Sequence, residues 1–388
     1  MNQRLRVGMV GGGQGAYIGR VHLLSARIDD CYDFVAGALS SDPRRAAASA
    51  RELRLDPARS YADYREMARI EASRPDGIDA VIIVTPNHLH APVATAFLEA
   101  GIHVICDKPL CISLQEALAL QALSRSTGKL LALTHTYSGY TMSRHARELV
   151  ASGELGEIRL VRVEYLQDWL AEPVELRGNK QAEWRTDPDR SGPGGCLGDI
   201  GTHAYHLASF VTGMLPTELS ADVVSMVPGR RLDDHVQVMM RYASGARGTL
   251  VASQVATGEG NALRLKVYGT KASLAFDQES PDFLWYTPLN GNPVRLTKGR
   301  AHSPAADHAN RFQLPAGHPE GWFEAFAQLY RDAAAQITAL NAGQPISESN
   351  KLLTTVDDGV EGMRFIEAAV RSSANSGARV MLKSLSRE

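Results

Sequence analysis

The feature that most constrains this chain is a regular alternation of short apolar runs and helical stretches along its first third. The apolar runs are predicted strands: Leu5–Val10, Phe34–Leu39, Ala80–Val84, His103–Cys106 and Leu130–Thr134. The helical stretches between them are Ile18–Ile28, Pro43–Leu53, Ala62–Glu71, Ala91–Ala100 and Leu114–Ser126. Strands that are apolar throughout and alternate with helices predict a parallel sheet covered by helices on both faces.

The pattern changes after about residue 136, where a predicted helix at Met142–Ala151 is followed by longer β-forming runs. These predicted strands are Ile158–Tyr165, Leu219–Val227, His235–Tyr242, Arg247–Gln254, Leu263–Tyr268 and Ser273–Phe276. Glycine-containing turns favour an antiparallel sheet, and helices at Glu320–Ala342 and Lys351–Ser373 are expected to cover one face of it. The segment Asn290–Leu314, rich in Pro, Gly, Asn and His, is expected to form a surface loop. The fold class is therefore α/β, with a second, α+β domain built on a large, mainly antiparallel sheet.

Composition excludes several classes of protein. The 388 residues carry 41 Lys and Arg against 43 Asp and Glu, so no general electrostatic attraction to nucleic acid or to an anionic membrane is expected. No apolar run reaches the ~20 residues of a membrane span, and the first residues lack the apolar core of a signal peptide. The four cysteines form no CxxC pair. We therefore expect a cytoplasmic, globular protein with neither nucleic-acid nor membrane partners.

A glycine-rich segment, residues 7–19, follows the first predicted strand and opens the first helix. Glycines there permit a tight turn and let the backbone approach a pyrophosphate at the helix N-terminus. The spacing departs from GxGxxG and fits only if the loop is two residues longer than usual; an ordinary glycine-rich turn is the alternative. The position at the first strand–helix junction favours a dinucleotide site. The predicted cofactor contacts in this segment are Gly11, Gly13, Gln14, Ile18 and Gly19.

The end of the second predicted strand bears on the choice of cofactor. NAD enzymes usually carry an acid there that binds the ribose 2′-hydroxyl. This chain has Ser40 at that point, with Arg44 and Arg45 just beyond. Guanidinium groups pair well with phosphate, so Ser40 and Arg45 favour NADP. Asp42 keeps NAD open, and solvated helix charges are the alternative role for the arginines.

Two further segments follow strands at the carboxyl edge of the sheet, where open parallel sheets bind their ligands. One contains Thr85, Pro86, Asn87 and His90, and the other is residues 107–110. Lys108 precedes a proline, which disfavours helical backbone and directs the lysine from an extended chain into the crevice. An ordinary surface lysine at a strand end is the alternative.

A third segment, residues 194–206, brings together an acid and two histidines. On a helix, Asp199 and His203 share a face at i, i+4, and His206 follows one turn later. A carboxylate beside an imidazole forms a tuned acid/base pair. Asp and two His also suit a divalent metal ion, and a capping Asp with packed histidines is the structural alternative.

Together these motifs resemble the Gfo/Idh/MocA family of sugar and cyclitol oxidoreductases over essentially the whole chain. That family pairs a glycine-loop Rossmann domain with an EKP motif and a later Gly-Gly…Asp-x-x-x-His motif. Residues 85–88 (TPNH) resemble its nicotinamide-side loop, residues 107–109 (DKP) resemble EKP with Asp for Glu, and Asp199 and His203 match the later motif. The resemblance implies a Rossmann NAD(P)-binding domain at residues 1–135. It implies an α+β substrate-binding and oligomerisation domain at residues 136–388.

The resemblance further implies hydride transfer between the nicotinamide and a ring carbon that bears a hydroxyl or ketone group. His203 would be the acid/base, Lys108 would hold the reacting oxygen, and Asp199 would orient the substrate and tune His203. Asp107 keeps the carboxylate of the EKP motif, and the set of predicted site residues includes no metal ligand. His206 stands near a position where many members carry an acid. Outside the glycine-rich segment, the full set of predicted cofactor contacts is Ser40, Arg45, Thr85, Pro86, Asn87, His90, Asp107 and Lys108.

The substrate is expected to be carbohydrate-like. Trp169 and Trp184 offer flat faces for a sugar ring, while Lys180 and Arg185 are suited to an acidic group on the sugar. A loop with packed tryptophans and solvated charges is the alternative. The full set of predicted substrate contacts is Tyr137, Trp169, Lys180, Trp184, Arg185, His206 and His235.

Other functions remain open from the sequence. Some relatives are NAD-dependent glycosidases that oxidise C3 transiently, eliminate, hydrate and regenerate the cofactor, with no net redox change. A non-catalytic dinucleotide-binding regulator and a metal-dependent enzyme are further alternatives. By analogy with the family, we expect a homodimer or homotetramer.

Overall fold

The structure is a computed structural model that describes residues 4–300, 314–347 and 352–382. The chain forms two compact units. The first comprises Met1–Thr136 with Phe326–Val360, and the second comprises Tyr137–Ala325 with Glu361–Glu388. No helix in the described ranges has the length and apolar character needed to cross a membrane.

The first unit is built on a parallel sheet whose strand order is β2-β1-β3-β4-β5. The strands are β1 Leu5–Gly11, β2 Tyr32–Ala38, β3 Ala80–Val84, β4 His103–Cys106 and β5 Leu131–Leu133. The helices are α1 Tyr17–Ile28, α2 Pro43–Glu52, α3 Tyr64–Ser73, α4 His90–Glu99 and α5 Leu114–Thr127. The order reverses between β1 and β3, so the ligand crevice of such a sheet is expected outside the carboxyl ends of these two strands.

One helix of the first unit was assigned wrongly from sequence. We expected Glu320–Ala342 to cover the antiparallel sheet, but the observed helix α10, Trp322–Asn341, packs from Phe326 onward in the first unit. Its Tyr330 hydroxyl is hydrogen-bonded to Nδ1 of His22 at 2.7 Å, and its Arg331 pairs with Asp29 at 2.6 Å. Amphipathic spacing identifies a helix with a buried face but does not say which sheet that face covers.

The second unit is built on a sheet of nine strands within the described ranges, in the order β13-β12-β11-β10-β6-β9-β8-β7-β14. The pairing is antiparallel except between β6 and β9, which run parallel. The strands are β6 Ile158–Leu166, β7 Pro216–Val224, β8 His235–Tyr242, β9 Arg247–Ser253, β10 Ala262–Gly269, β11 Ala272–Asp277, β12 Phe283–Pro288, β13 Val294–Thr297 and β14 Val380–Met381. The helices are α6 Thr141–Ala151, α7 Lys180–Arg185, α8 Pro188–Ser191, α9 Thr202–Thr212 and α11 Val356–Ala374. The fold class expected from the sequence is thus confirmed.

Two local expectations differ from the structure of this unit. The predicted loop Asn290–Leu314 contains a strand, β13, which pairs with β12 and forms the edge of the sheet; residues 301–313 of that segment lie outside the described residues. The last predicted helix begins later than expected, at Val356, and Lys351 also lies outside the described residues.

Along the strands of this sheet, buried and exposed side chains alternate, so one face of the sheet is buried and the other is exposed. In β8, Val236 and Val238 are buried while Gln237 and Met239 are exposed. Helix α9 packs on β6, β9 and β10, and it is buried along almost its whole length. The buried face therefore holds α9, which bears the predicted catalytic residue His203, and among the described residues the side chains of the other face are exposed.

Candidate functional site

The loop between β1 and α1 approaches its neighbours more closely than any side chain would allow. A Cβ atom on Gly13 would lie 2.5 Å from the carbonyl oxygen of Leu39, and one on Gly19 would lie 2.4 Å from Cα of Gly12, whose φ is +71°. Glycine is thus required at these positions. The contact between Gly19 and Gly12 is the close packing that the last glycine of a dinucleotide loop provides. The two residues by which this loop exceeds the usual GxGxxG spacing therefore do not prevent that contact.

The start of α1 fits a pyrophosphate. Its N-cap residue, Ala16, makes no side-chain cap, and the first turn contains no acidic residue, so the positive end of the helix suits an anion. The predicted contact Gln14 is tied to α2: its backbone N–H donates to Oγ of Ser49 at 3.0 Å, and its side-chain amide donates to Glu52 at 3.2 Å. Ile18 lies in the first helical turn.

The residues after β2 are arranged around the start of α2. The carboxylate of Asp42 caps this helix by accepting from the backbone N–H of Arg45 at 2.9 Å, and the Oγ of Ser40 accepts from the backbone N–H of Asp42 at 3.2 Å. The side chain of Arg45 is exposed in the first turn. Part of the acceptor capacity of Asp42 is thus used by the protein itself.

The segment after β3 contains two buried polar atoms that have no hydrogen-bond partner within the described ranges. They are the hydroxyl oxygen of Thr85 and Nδ1 of His88. Pro86 precedes a short 3-10 turn, Asn87–Leu89, in which Asn87 is buried. An unpartnered buried hydroxyl at the carboxyl end of a parallel strand fits a site that a bound cofactor completes.

His90, predicted to contact the cofactor, contacts the protein backbone in the structure. It is buried, and its Nδ1 and Nε2 lie 2.7 Å from the carbonyl oxygen of Pro109 and 2.9 Å from that of Thr85. Burial is the main cause that lowers the pKa of His90. Both ring nitrogens therefore face the backbone, and His90 connects the two loops that follow β3 and β4.

Asp107 and Lys108 continue directly from β4. The backbone N–H of Asp107 donates to the carbonyl oxygen of Ile83 at 2.9 Å. Its Oδ1 accepts from the backbone N–H of Lys108 at 2.8 Å and from Oγ1 of Thr134 at 3.1 Å. The carboxylate of Asp107 thus fixes the backbone of the lysine, and the peptide bond between Lys108 and Pro109 is cis.

In the second unit, Asp199 and His203 lie on one continuous helical segment. Asp199 lies in a π-helical turn, Leu197–Gly201, and His203 lies in the first turn of α9. π turns within helices occur frequently at functional sites. His203 is buried, and its ring lies edge-on to that of Tyr137 with centroids 4.7 Å apart. The helix predicted from the Asp-x-x-x-His spacing is present, with a wider first turn than expected.

Asp199 is held by two donors from other elements. Nε2 of Gln254, just after β9, donates to its Oδ2 at 2.9 Å, and Nε of Arg185, at the end of α7, lies 3.5 Å from the same oxygen. The guanidinium of Arg185 also stacks over the ring of Trp184, 4.2 Å from its centroid. The predicted acid-binding Arg185 thus has an acid of the protein as its partner.

A hydrogen-bond network connects predicted substrate residues next to His203. Nε1 of Trp169 donates to Oε1 of Gln167 at 3.0 Å, and Nε2 of Gln167 donates to Oδ1 of Asn261 at 2.6 Å. The hydroxyl of Tyr165 donates to the same oxygen at 2.7 Å and contacts the hydroxyl of Tyr137. Burial raises the pKa of both tyrosines, so both hydroxyls stay protonated.

The remaining predicted residues lie in varied surroundings. Lys180 is exposed at the start of α7, and His206 is buried with its ring stacked on Phe210, centroids 5.9 Å apart. His235 alternates with the buried Val236 and so lies on the open face of the sheet, near Asp222. The prediction that His235 reaches the site is therefore wrong, because the parity of β8 turns it away from α9. Across the described residues, no three His, Cys, Asp or Glu side chains are placed to hold a metal ion.

Comparison with family models decides the relationship of the chain to known proteins. Residues 5–135 match the oxidoreductase family with an NAD-binding Rossmann fold, and residues 143–275 match the GFO/IDH/MocA C-terminal domain. The chain belongs to the Gfo/Idh/MocA oxidoreductase family. It is therefore an NAD-binding oxidoreductase with a Rossmann domain, as the sequence motifs indicated.

Individual relatives agree with this assignment. A crystal structure of an oxidoreductase from Sinorhizobium meliloti is 46% identical, covers 98% of this chain and 100% of its own, and has a TM-score of 0.87. An inositol dehydrogenase homolog from Azotobacter vinelandii, complexed with NADH and myo-inositol, is 35% identical over 98% of both chains with a TM-score of 0.89. Levoglucosan dehydrogenase of Pseudarthrobacter phenanthrenivorans is 32% identical over 73% of this chain and 76% of its own.

Several residues that shape the site were missed from the sequence. Gln254 and Asn261 belong to no recognisable sequence motif. Gln254 follows the end of β9 and Asn261 precedes the start of β10, and both strands pack against α9. The pairing of Arg185 with Asp199 was missed because the two residues are fourteen positions apart in the sequence, with irregular chain and a short helix between them.

Proposed function

We propose that the protein is an NAD(P)-dependent dehydrogenase that interconverts a ring hydroxyl and a ketone on an uncharged sugar, sugar derivative or cyclitol. The observation that carries the proposal is the pairing of Asp199 with Arg185 and Gln254, one helical turn before His203. Two donors favour the ionised carboxylate, and an ionised acid beside an imidazole favours transfer of a proton to the ring. The relatives named with myo-inositol and levoglucosan support an uncharged ring as substrate.

Residues 1–135 are proposed to hold the cofactor, through the glycine loop, the start of α1 and the buried Thr85 hydroxyl. When bound, the nicotinamide supplies the acceptor or donor of the hydride. Ser40 and Arg45 are proposed to favour the 2′-phosphate of NADP, since the carboxylate of Asp42 is already used to cap α2. A kcat/KM that is higher with NAD than with NADP would contradict this preference.

Residues 136–388 are proposed to bind the substrate, with Tyr137, Trp169 and Trp184 around its ring. In the oxidation direction, His203 takes the proton of the reacting hydroxyl, while the ammonium of Lys108 donates a hydrogen bond to the oxygen as it gains negative charge. In the reduction direction, the protonated His203 returns the proton to the oxygen. Asp199 stabilises the imidazolium in both directions.

The test is absorbance at 340 nm with NAD or NADP and a panel of free sugars, inositols, sugar acids and aryl glycosides. Reduced cofactor that accumulates with an uncharged polyol supports the proposal. Release of an aglycone without net reduced cofactor would replace it with the redox-neutral glycosidase. Activity on sugar acids alone would contradict the uncharged substrate.

Variants then test the proposed roles. Lys108→Met and His203→Gln should each lower kcat by about 100-fold or more, since each removes a group that acts on the reacting oxygen or its proton. Lys266→Met, which removes an exposed lysine from β10, is the matched control and should behave like the wild type. Unchanged turnover in Lys108→Met would favour a non-catalytic role of the fold.

A further inference from the structure

The start of the helix that carries Asp199 and His203 is held by a single distant residue. Three consecutive backbone N–H groups donate to Asp233: that of Gly195 to Oδ1 at 2.6 Å, that of Cys196 to the carbonyl oxygen at 2.9 Å, and that of Leu197 to Oδ2 at 2.7 Å. The first N–H groups of a helix have no acceptor within the helix. Asp233 therefore supplies acceptors that would otherwise be missing from a buried helix end.

This contact is closely fitted on both sides. A Cβ atom on Gly195 would lie 2.4 Å from the carbonyl oxygen of Asp233, so only glycine allows the approach. The next intrahelical bond runs from the N–H of Asp199 to the carbonyl oxygen of Gly195 at 2.9 Å. Two hydrogen bonds thus connect Asp199 to Asp233: one from Asp199 to Gly195, and one from Gly195 to Asp233.

The neighbouring residue connects the same segment to Asp199 by a second route. The backbone carbonyl of Asp234 accepts from the N–H of Gln254 at 2.9 Å, and the side chain of Gln254 donates to Asp199. We propose that Asp233 is a positioning residue for the reaction: it fixes the helix start and thereby the placement of Asp199 and His203. The proposal rests on the proposed function only in the catalytic roles that it gives to Asp199 and His203.

The charge of Asp233 matters for this task, because the carboxylate accepts at both oxygens whereas the acid form would turn one oxygen into a donor. Burial raises its pKa to about 6, with the nearby charge of Asp234 as a smaller cause, while the backbone N–H groups of Leu197 and Gly195 oppose the rise. Asp234 is itself paired with Arg230. At pH 7.5 the carboxylate is therefore ionised.

The test compares Asp233→Asn with Asp63→Asn at pH 7.5. Asn keeps the shape of the side chain but directs an amide N–H at one of the two backbone donors. The control matches the change in chemistry, because the carboxylate of Asp63 also accepts from two backbone N–H groups at a helix start, but these belong to Arg65 and Glu66 in α3. Gly195→Ala disturbs the contact from the other side and serves if Asp233→Asn does not fold.

Two measurements are made on each variant: hydrogen exchange in peptides that cover residues 195–203, and steady-state kinetics with cofactor affinity. Asp233→Asn should exchange about tenfold faster in this segment, as loss of a hydrogen bond predicts. It should also lower kcat by about 10- to 100-fold, because a misplacement of ~1 Å in a catalytic group has that effect. Cofactor affinity should stay unchanged in all variants, and Asp63→Asn should leave both the exchange of residues 195–203 and kcat near the wild-type values.

Unchanged exchange or unchanged kcat in Asp233→Asn would overturn the proposal. So would equal losses of kcat in Asp233→Asn and Asp63→Asn, since these would indicate an effect that does not depend on the start of the catalytic helix. If the wild-type protein oxidises no substrate of the panel, the proposed function fails, while the exchange measurement still decides whether Asp233 holds the helix start.

Discussion

Replacement of Gly19 by alanine tests whether the glycine loop depends on close backbone contact. The added Cβ would lie 2.4, 2.7 and 2.9 Å from the Cα, carbonyl oxygen and carbonyl carbon of Gly12, where ordinary contacts begin at 3.4 Å. All three atoms are backbone, so no side chain can rotate away. Helix α1 must therefore withdraw from the loop by up to the missing 1.0 Å (3.4 − 2.4).

The expected cost follows from two opposing effects. Alanine gains about 1 kcal/mol over glycine inside a helix, whereas overpacking of a rigid contact costs about 1–3 kcal/mol. The upper part of that range applies, because the clash is with backbone, which leaves a net loss of about 2 kcal/mol in the free energy of unfolding. Cofactor affinity should fall by about tenfold, as about 1.4 kcal/mol of lost contact energy predicts.

The matched control is Gly362→Ala in α11, where the added Cβ would meet nothing within 4 Å. It should stabilise the protein by about 0.5–1 kcal/mol, since only the helical preference changes. Urea unfolding followed by circular dichroism gives the free energies, and titration of NADH fluorescence gives the affinity. Gly19→Ala with wild-type or higher stability, or with unchanged cofactor affinity, would refute the reasoning.

Three other changes have expected outcomes. Arg185→Met should lower kcat by about tenfold on uncharged substrates, because Asp199 loses its cationic partner, and steady-state kinetics would show it; loss of activity on sugar acids alone would instead assign Arg185 to the substrate. Glu71→Gln should lower the free energy of unfolding by about 3–5 kcal/mol, since it leaves the buried Arg59 without its carboxylate, and urea unfolding would measure the loss. Burial lowers the pKa of His22 from 6.5 to about 4, so between these pH values the unfolded chain binds more protons than the folded chain. The free energy of unfolding therefore falls as the pH is lowered, and His22→Asn should remove about 2 kcal/mol of its difference between pH 7.5 and pH 5, which urea unfolding at the two pH values would measure.

The first sheet was largely predictable because its signal is local. Ala80–Val84 and His103–Cys106 have the predicted ends. In the first of these strands every residue is apolar, as is typical of a fully buried parallel strand, and the flanking residues Asp79 and Thr85 are polar. Strand β12 and the edge strand β13 were missed: neither is fully buried, and β13 is only four residues long and includes an arginine and a threonine. The assignment of α10 to the wrong sheet shows that periodicity specifies a buried face but not its partner.

The site was predictable only where its residues are close in sequence. Asp199 and His203 lie four positions apart on one helix, so their spacing alone placed them together. Gln254 lies 55 positions from Asp199, and no local pattern connects them. His235 was misplaced because one residue of strand parity decides which face a side chain occupies.

The partner of Arg185 also changes which substrates the second unit is expected to select. From the sequence, Arg185 is suited to an acidic group, but its guanidinium faces Asp199, donates to Oε1 of Gln181 at 2.5 Å and covers the ring of Trp184. Asp199 alone would repel a substrate carboxylate at ~4 Å by about 4 kcal/mol at the effective dielectric of a protein site, and Arg185 at a similar distance would attract it by a comparable amount. The ion pair therefore offers a substrate carboxylate little net attraction to offset the cost of removing it from water. An uncharged ring whose hydroxyls accept and donate hydrogen bonds avoids this cost and uses the same groups.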